Sequence, residues 1–171
     1  MHQSPEHVHK WRTFMQSFTA EADTRAHKLM EEMILVSRGL YQLGEQSLEA
    51  AGISFAQYRI LMSLLFAEQM DGRADGLNPS EISQWHGTSR NTISALLRNL
   101  EESGHVVRHL DEADRRKFNI CLTDAGREMV RQHARAHLHA TTHCFEALTA
   151  EEQDLLSQLL HKIGKQVASG E

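Results

Sequence analysis

The chain has 171 residues, a formal net charge of −5 and a hydrophobic fraction of 40%. This size allows one domain with a sizeable core, or one domain with helical extensions. No segment approaches the roughly 18 apolar residues of a membrane-spanning helix, and residues 1–10 lack the apolar stretch of a secretory signal. Because the two cysteines are also too few for a disulfide scaffold, we expect a soluble cytoplasmic protein.

The first part of the chain is patterned as helices. An N-terminal extension, residues 1–23, shows the amphipathic spacing i, i+3, i+4, i+7 in Trp11, Phe14, Met15 and Phe18. A long helix over Thr24–Ala51 follows, and Gly52 stands just past its C-terminus. The next segment, Phe55–Glu68, is apolar nearly all round, which predicts a buried helix.

Residues 78–87 predict a short helix and a tight turn. Asn78 can cap the helix, and Glu81 can reach back to the backbone N–H of the cap. The helix then covers Pro79 to about Trp85, and Gly87 supplies the turn. This order predicts the first half of a helix-turn-helix.

The second helix of the pair is capped by Thr88 or Ser89 and runs to Ser103. Its apolar face would pack on the preceding helix through Ile82 and Trp85. That apolar face comprises Ile93, Leu96, Leu97 and Leu100, and the polar face comprises Thr88, Ser89, Arg90, Asn91, Ser94 and Arg98. Arginine pairs with guanine and asparagine with adenine in the major groove, so the polar face predicts DNA contact; a merely solvated face is the alternative.

A β-hairpin with a charged tip comes next. His105–Leu110 and Phe118–Leu122 predict the strands, and the second strand alternates as a half-buried strand does. The tip carries Asp111, Asp114, Arg115, Arg116 and Lys117. A turn does not need three consecutive cations, whereas a narrow minor groove attracts arginine that a neighbouring carboxylate can brace. The hairpin therefore predicts a DNA-binding wing, against the alternative of an exposed ion-pair cluster.

Two further helices complete the predicted fold. Thr123 caps a helix from Asp124 to about His143, in which Gly126 is early and exposed. A capping box at Thr149–Glu152 starts a last helix with a leucine-rich stripe. The predicted fold class is mainly α with a small β-hairpin wing (α+β): a winged helix-turn-helix domain flanked by long N- and C-terminal dimerisation helices.

The charge distribution agrees with a DNA-binding role for the helix pair and hairpin. When the chain is divided into residues 1–50, 51–86, 87–117 and 118–171, only residues 87–117 are net positive, with six basic and five acidic side chains. The face that carries the charge matters more to DNA than the total. So small an excess predicts modest non-specific affinity with a strong dependence on salt.

Residues from about 53 to 130 resemble the multiple-antibiotic-resistance regulator (MarR) family of bacterial transcription factors. The specific match is Asp111-Glu112-Ala113-Asp114-Arg115-Arg116 followed by Leu122-Thr123-Asp124-Ala125-Gly126, with further matches over residues 77–82, 88–94 and 100–104. The resemblance implies a homodimer on a palindromic operator, usually a repressor released by a small ligand, an oxidant or a metal. It implies a winged DNA-binding domain at 52–123 and a helical dimerisation region at 24–51 and 124–171.

Carried over by position, the resemblance assigns the DNA contacts. Ser89, Arg90, Asn91, Thr92 and Ser94 would line the major groove. In the wing, Arg116 would be the leading minor-groove residue and Arg115 its partner, with Asp114 or Asp111 bracing them. We add Arg98 and Lys117 to the predicted DNA-binding set because they lie on the same helix face and at the same hairpin tip.

The sensed signal remains open between three kinds. Oxidation-sensing members of the family carry a reactive cysteine in the first core helix, where this chain has Leu29 and Met30. Cys121 and Cys144 lack an evident activating neighbourhood, except for His143 beside Cys144. We therefore interpret both cysteines as ordinary small residues.

Zinc is the second kind of signal. His133 and His137 lie one helical turn apart, as half of a zinc site can. Zinc-responsive members of the family have histidines at these two positions, but their remaining ligands would fall at Tyr41 and Arg59, which cannot serve. The alternative is a polar helix face whose imidazoles titrate near neutrality, and we predict no cofactor.

A small organic ligand, anionic or aromatic as is usual in the family, is the third. The resemblance implies a cleft between the dimer helices and the winged domain. Side chains that could line it are Trp11, Met33, Tyr41, Tyr58, Arg59 and Met62. The alternative is that these side chains belong to the hydrophobic core and bind no ligand. Urate-responsive members have an acidic residue at the position of Arg59, so we expect a different anion to face it.

Two other functions fit parts of the sequence. A winged domain can serve protein–protein contact, with its cations meeting an acidic partner. The other is a metal-dependent enzyme built from the histidines. The sequence shows no set of nucleophile, base and orienting group, and no carboxylate spaced with the histidines for water activation, so we predict no catalytic residue. The leading prediction is a ligand-responsive, DNA-binding repressor.

Overall fold

The computed structural model of the protein describes residues 10, 13–14, 17, 24–110 and 117–169. The chain divides into two compact units, Met1–Gln42 and Leu43–Glu171. None of the helices in the described ranges is long and apolar enough to cross a membrane. The predicted amphipathic helix of the N-terminal extension lies largely outside the described residues.

Helices dominate the described chain, and one hairpin interrupts them. In order, the elements are α1 (Thr24–Ser47), a 3-10 turn (Glu49–Ala51), α2 (Phe55–Met70), α3 (Pro79–His86), α4 (Arg90–Glu102), β1 (Val106–Leu110), β2 (Phe118–Leu122), α5 (Asp124–Phe145) and α6 (Ala150–Ser169). This order confirms the predicted fold class, a winged helix-turn-helix within a mainly helical chain.

Local capping explains where these helices begin. The Asn78 side chain accepts hydrogen bonds from the Ser80 and Glu81 N–H groups, each at 3.0 Å, and the Glu81 carboxylate accepts from the Asn78 N–H at 2.8 Å. Ser89, and not Thr88, caps α4, because its Oγ accepts from the Thr92 N–H at 3.2 Å. These caps satisfy N–H groups that have no partner inside their helices.

Two predicted helices differ from the observed ones. The helix predicted over Thr24–Ala51 ends as an α-helix at Ser47 and tightens into a 3-10 turn before Gly52, whose φ is 68°. The α2 helix runs to Met70, beyond the predicted Glu68. The prediction of a buried helix is correct for one side only, because Met62 and Phe66 are 37% and 52% exposed. Its outward face is apolar but has no covering element among the described residues of its unit.

The core of the second unit lies between α2, α4 and the hairpin. Its fully buried side chains include Tyr58, Ile60, Leu61, Leu64, Leu77, Ile82, Ile93, Leu97, Leu100, Ile120 and Val130. Ile82 packs inward as predicted, but Trp85 remains 48% exposed and meets Phe66 edge-on with 6.2 Å between ring centroids. The prediction that Trp85 holds α4 against α3 is therefore wrong.

The hairpin strands pair antiparallel, from Val106 opposite Leu122 to Leu110 opposite Phe118. Leu77 adds a short bridge to Ile120, with backbone hydrogen bonds in both directions at 2.8 and 3.2 Å. The predicted alternation along β2 fails at Asn119, which is buried, because β2 contacts both α2 and α5.

The start of α5 is fixed to the base of the hairpin. The Thr123 hydroxyl donates to the Gly104 carbonyl at 2.7 Å and accepts from the Gly126 N–H at 3.1 Å, while the Thr123 N–H donates to the His105 carbonyl at 3.1 Å. Gly126 is buried there, and a Cβ on it would overlap the His105 carbonyl oxygen. The prediction that Gly126 is exposed is therefore wrong.

Candidate DNA-binding site

The outer face of α4 gathers the polar residues that the sequence singled out. The inner face buries Ile93, Leu97 and Leu100, which leaves the opposite side of the helix in solvent. Exposed on or just before that side are Ser89, Arg90, Asn91, Thr92, Ser94 and Arg98. The structure thus places all the predicted helix residues on one accessible helix, with two guanidinium groups among short hydroxyl and amide side chains.

The turn before α4 is held by its own hydrogen bonds. Gly87 adopts a left-handed φ of 58°, and the Ser83 hydroxyl donates to the Thr88 carbonyl at 2.5 Å. At the start of α4 the Ser89 and Thr92 hydroxyl oxygens lie 2.9 Å apart. The first turn of α4, where helix-turn-helix proteins meet base edges, is therefore a defined and capped segment.

The base of the wing contains a contact that the sequence reasoning missed. Arg108 of β1 forms an ion pair with Glu101 at the end of α4, with 2.7 Å between Nε and Oε2. Its guanidinium carbon also lies 4.9 Å from the centroid of the Phe118 ring on β2. The sequence does not single out Arg108 among the six basic residues of 87–117, because nothing in its local spacing points to Glu101.

The wing tip is only partly described. Lys117 is exposed just before β2. The predicted wing residues Asp111, Asp114, Arg115 and Arg116 lie outside the described residues. Their roles therefore stay predictions.

The candidate effector residues are spread over both units. Met33 and Tyr41 belong to the first unit and are each 42% exposed. In the second unit, Tyr58 is fully buried, whereas its neighbour Arg59 is exposed. Met62 lies on the exposed side of α2, and Trp11 lies outside the described residues.

Two buried polar atoms stand out beside that group. The Tyr58 hydroxyl and the His137 Nδ1 are inaccessible to solvent and have no hydrogen-bond partner among the described residues. Their ring centroids are 5.5 Å apart, and the Phe55 ring lies 5.3 Å from the His137 ring at an interplanar angle of 47°. Burial raises the pKa of Tyr58 and lowers the pKa of His137. His137 is thus directed into the protein rather than paired with His133 on a free face.

The cysteines and histidines show no sensor geometry within the described ranges. The Cys121 thiol donates to the Asp75 carbonyl at 3.2 Å, and burial together with the Asp75 and Glu68 charges raises its pKa, which is the opposite of activation. Cys144 is exposed. No group of three or more His, Cys, Asp or Glu side chains among these residues is placed to hold a metal ion.

Sequence comparisons place this architecture in a known family. A family model described as MarR family matches residues 51–117. The transcriptional regulator PrsX of Escherichia coli is 30% identical over 137 residues, which cover 80% of each chain. The transcriptional repressor YetL of Bacillus subtilis is 28% identical over 141 residues, covering 82% of this chain and 81% of YetL.

A solved structure agrees with these matches. The chain is similar to S. aureus MepR, crystallised as a DNA complex, with a TM-score of 0.72 and 28% identity over 80% of this chain and 96% of MepR. Fold, helix-turn-helix geometry and sequence similarity thus converge: the chain belongs to the MarR family and is a DNA-binding transcription regulator.

Proposed function

We propose that the protein represses transcription in the cytoplasm by binding a palindromic operator as a homodimer, and that a small organic effector modulates this binding. The observation that carries the proposal is the polar face of α4, where Arg90, Asn91 and Ser94 are exposed opposite a fully buried apolar face. Such a face is complementary to base edges in the major groove. This role requires no catalytic centre.

The remaining DNA contacts are proposed from the sequence pattern. Ser89, Thr92 and Arg98 extend the helix surface, and Lys117 stands where the hairpin returns. We assign Arg116 and Arg115 to the minor groove, with Asp114 or Asp111 bracing them. The winged domain is taken as residues 52–123, the dimerisation region as 24–51 and 124–171, and residues 1–23 as an N-terminal extension.

The direct test uses a DNA duplex selected by the wild-type protein from a random-sequence pool. We expect Arg90→Ala and Asn91→Ala to weaken binding by roughly 5- to 150-fold and to relax the preference at one base pair each. Arg116→Glu should abolish the salt-sensitive binding of this duplex in a gel-shift titration. Arg135→Ala, on the exposed surface of α5, serves as the control. If the pool yields no selected sequence, or all variants bind like wild type, the winged domain serves another partner.

Dimerisation is supported by uncovered apolar surface. Leu155, Leu159, Leu160, Ile163 and Val167 on α6 are between 42% and 76% exposed. The α1 residues Leu29, Met33, Val36 and Leu40 are also exposed. Contiguous apolar stripes of this kind mark protein–protein contacts, and a second copy of the chain is the occupant that the palindromic operator requires.

The effector site is proposed around α2. A buried hydroxyl and a buried imidazole nitrogen without partners favour a bound polar group, because such atoms cost about 1–3 kcal/mol each when unsatisfied. Arg59, exposed on the next position of α2, could pair with an anion. Trp11, Met33, Tyr41 and Met62 remain proposed lining residues.

A panel of aromatic carboxylic acids tests the effector site. We expect at least one acid to release the selected duplex from the wild-type protein and to raise its melting temperature. The same acid should lose most of its effect on Arg59→Ala. Equal release from wild type and Arg59→Ala would contradict the assignment of Arg59 while leaving DNA binding untouched.

Zinc sensing through His133 and His137 is not favoured by any contact in the described residues. A protein prepared without chelator and assayed for zinc tests it directly. Stoichiometric metal would revive this alternative, and its absence would remove it.

A further inference from the structure

We propose that Arg108 is a positioning residue that fixes the direction of the wing hairpin relative to the recognition helix α4. This inference rests on the proposed DNA-binding function. The side chain of Arg108 joins three elements: it stands on β1, forms the ion pair with Glu101 of α4, and lies over the Phe118 ring of β2. No base or phosphate contact is assigned to Arg108 itself.

The β1 strand needs such a contact because the core buries only Val106 on it, whereas Asn119, Ile120 and Leu122 are buried on β2. Val106 and Leu122, the pair nearest α5, are buried. Farther along β1, the side chains of Val107, His109 and Leu110 are exposed. A two-stranded hairpin is marginally stable by itself in water, so the placement of β1 depends on its pairing with β2 and on the contacts of its own side chains.

The chemistry of arginine suits this task better than that of lysine. The guanidinium is planar, donates hydrogen bonds in fixed directions and stacks on an aromatic ring with its flat face. Here one edge meets the Glu101 carboxylate at 2.7 Å while the guanidinium carbon lies 4.9 Å from the Phe118 centroid. The Phe118 contact holds the guanidinium against the hairpin, and the Glu101 contact then ties the hairpin to the end of α4. A flexible ammonium group would not fix this geometry.

Positioning matters because the two DNA-reading parts must act together. The helix enters the major groove and the wing the adjacent minor groove, so the angle between them has to match the duplex. Holding that angle before binding lowers the ordering cost of association. Since Arg108 and Glu101 are 37% and 39% exposed, the ion pair contributes little to folding stability, and its effect on DNA binding can be measured separately.

The rival role for Arg108 is a direct phosphate contact. The two roles predict opposite results for Glu101→Gln. If Arg108 positions the wing, loss of the carboxylate weakens binding; if Arg108 contacts phosphate, loss of the competing carboxylate strengthens it. Arg108→Lys also separates them, because a lysine keeps the charge that a phosphate needs but not the fixed geometry.

The experiment measures affinity and groove protection on the selected duplex with the full-length protein. For both Arg108→Lys and Glu101→Gln we expect about tenfold weaker binding. Hydroxyl-radical protection of the minor groove should be lost, while protection of guanine N7 from methylation in the major groove should persist. Melting temperatures should stay near wild type, and Arg135→Lys, on the exposed surface of α5, should behave as wild type.

Other outcomes would overturn the inference. Unchanged affinity of Arg108→Lys, stronger binding by Glu101→Gln, or parallel loss of major- and minor-groove protection would each reject a positioning role. If the wild-type protein itself selects no duplex, the proposed function fails first.

Discussion

Tyr58 and His137 each place in the core a buried polar atom without a hydrogen-bond partner among the described residues. Both project into the packed region around Phe55, and neither the Tyr58 hydroxyl nor the His137 Nδ1 has a partner in the described chain. Buried polar groups without partners lower stability, so each is expected to respond to substitution or titration in a characteristic way.

Tyr58→Phe removes the unpartnered hydroxyl and keeps the ring. We expect the free energy of unfolding to stay the same or to rise by up to about 1 kcal/mol, because no hydrogen bond is lost. Urea denaturation of the apo protein measures this. A loss of more than about 1 kcal/mol would show that the hydroxyl is satisfied in solution, for instance by a buried water.

A pH response follows from His137 and His86. Burial lowers the pKa of His137. Burial is also the larger cause of the lowered pKa of His86, and the positive charge of Arg59 is the smaller one. The unfolded chain takes up these protons at a higher pH than the folded one. Their contribution to stability is thus fully present above the ordinary pKa of 6.5 and is lost as the pH falls from 6.5 through the lower folded pKa values.

Denaturation curves between pH 7.5 and 5.5 should therefore show falling stability. His137→Leu should flatten this dependence in part, whereas His139→Leu, at an exposed position of the same helix, should not. Glu68, whose pKa is lowered chiefly by its hydrogen bonds with Arg127, acts in the same direction but below its ordinary value of 4.5, so it does not obscure the histidine range. An identical slope in wild type and His137→Leu would contradict the assignment.

At the scale of elements, α5 is coupled to the winged domain at two places. Thr123, which follows β2, ties the start of α5 to the segment just before β1 through the Gly104 and His105 carbonyls. One turn along, Arg127 forms a bidentate ion pair with Glu68 of α2, with distances of 2.9 to 3.1 Å. A movement of α5 would therefore shift the wing base and α2 together, which is a route by which an effector beside α2 could alter the DNA-binding face.

Gly126→Ala tests how tightly α5 meets the hairpin. Alanine normally stabilises a helix interior relative to glycine by roughly 0.5–1 kcal/mol. At residue 126 we expect the reverse, a loss of about 1–3 kcal/mol, because the new methyl group would overlap the His105 carbonyl oxygen. Gly164→Ala on α6, with no described atom within 4 Å of the added Cβ, is the matched control and should show the ordinary gain. Thermal and urea unfolding distinguish the two signs.

At the scale of the whole molecule, α6 has an apolar stripe but none of its residues is buried in the single chain. A helix of 20 residues with this pattern is marginal unless another surface covers its apolar face. The proposed homodimer supplies that surface and brings two copies of α4 to one duplex.

Leu159→Asp with Ile163→Asp should break this assembly. We expect a monomer in sedimentation analysis and loss of high-affinity DNA binding, because each monomer would meet only half of the operator. Gln158→Asp adds charge on the opposite side of α6 and should leave the dimer intact. If the double variant remained a dimer, the interface would have to be formed by a surface other than the apolar stripe of α6.

The sequence by itself determined the parts of the protein that depend on neighbouring residues. Caps such as Asn78 with Glu81, the glycine turn at Gly87 and the period of α4 depend on contacts within a few residues, so pattern and composition predict them. The same holds for the exposed polar face of α4, since its identity follows once the apolar face is recognised.

Only the tertiary structure decided the contacts between segments distant in the chain. The exposure of Trp85, the burial of Gly126 and the approach of His137 to Tyr58 depend on how α2, α5 and the hairpin pack. The ion pair of Arg108 with Glu101 likewise depends on the angle of the hairpin. The local sequence does not predict these contacts, because each side chain has several possible partners of similar chemistry and the packing of the whole core selects one of them.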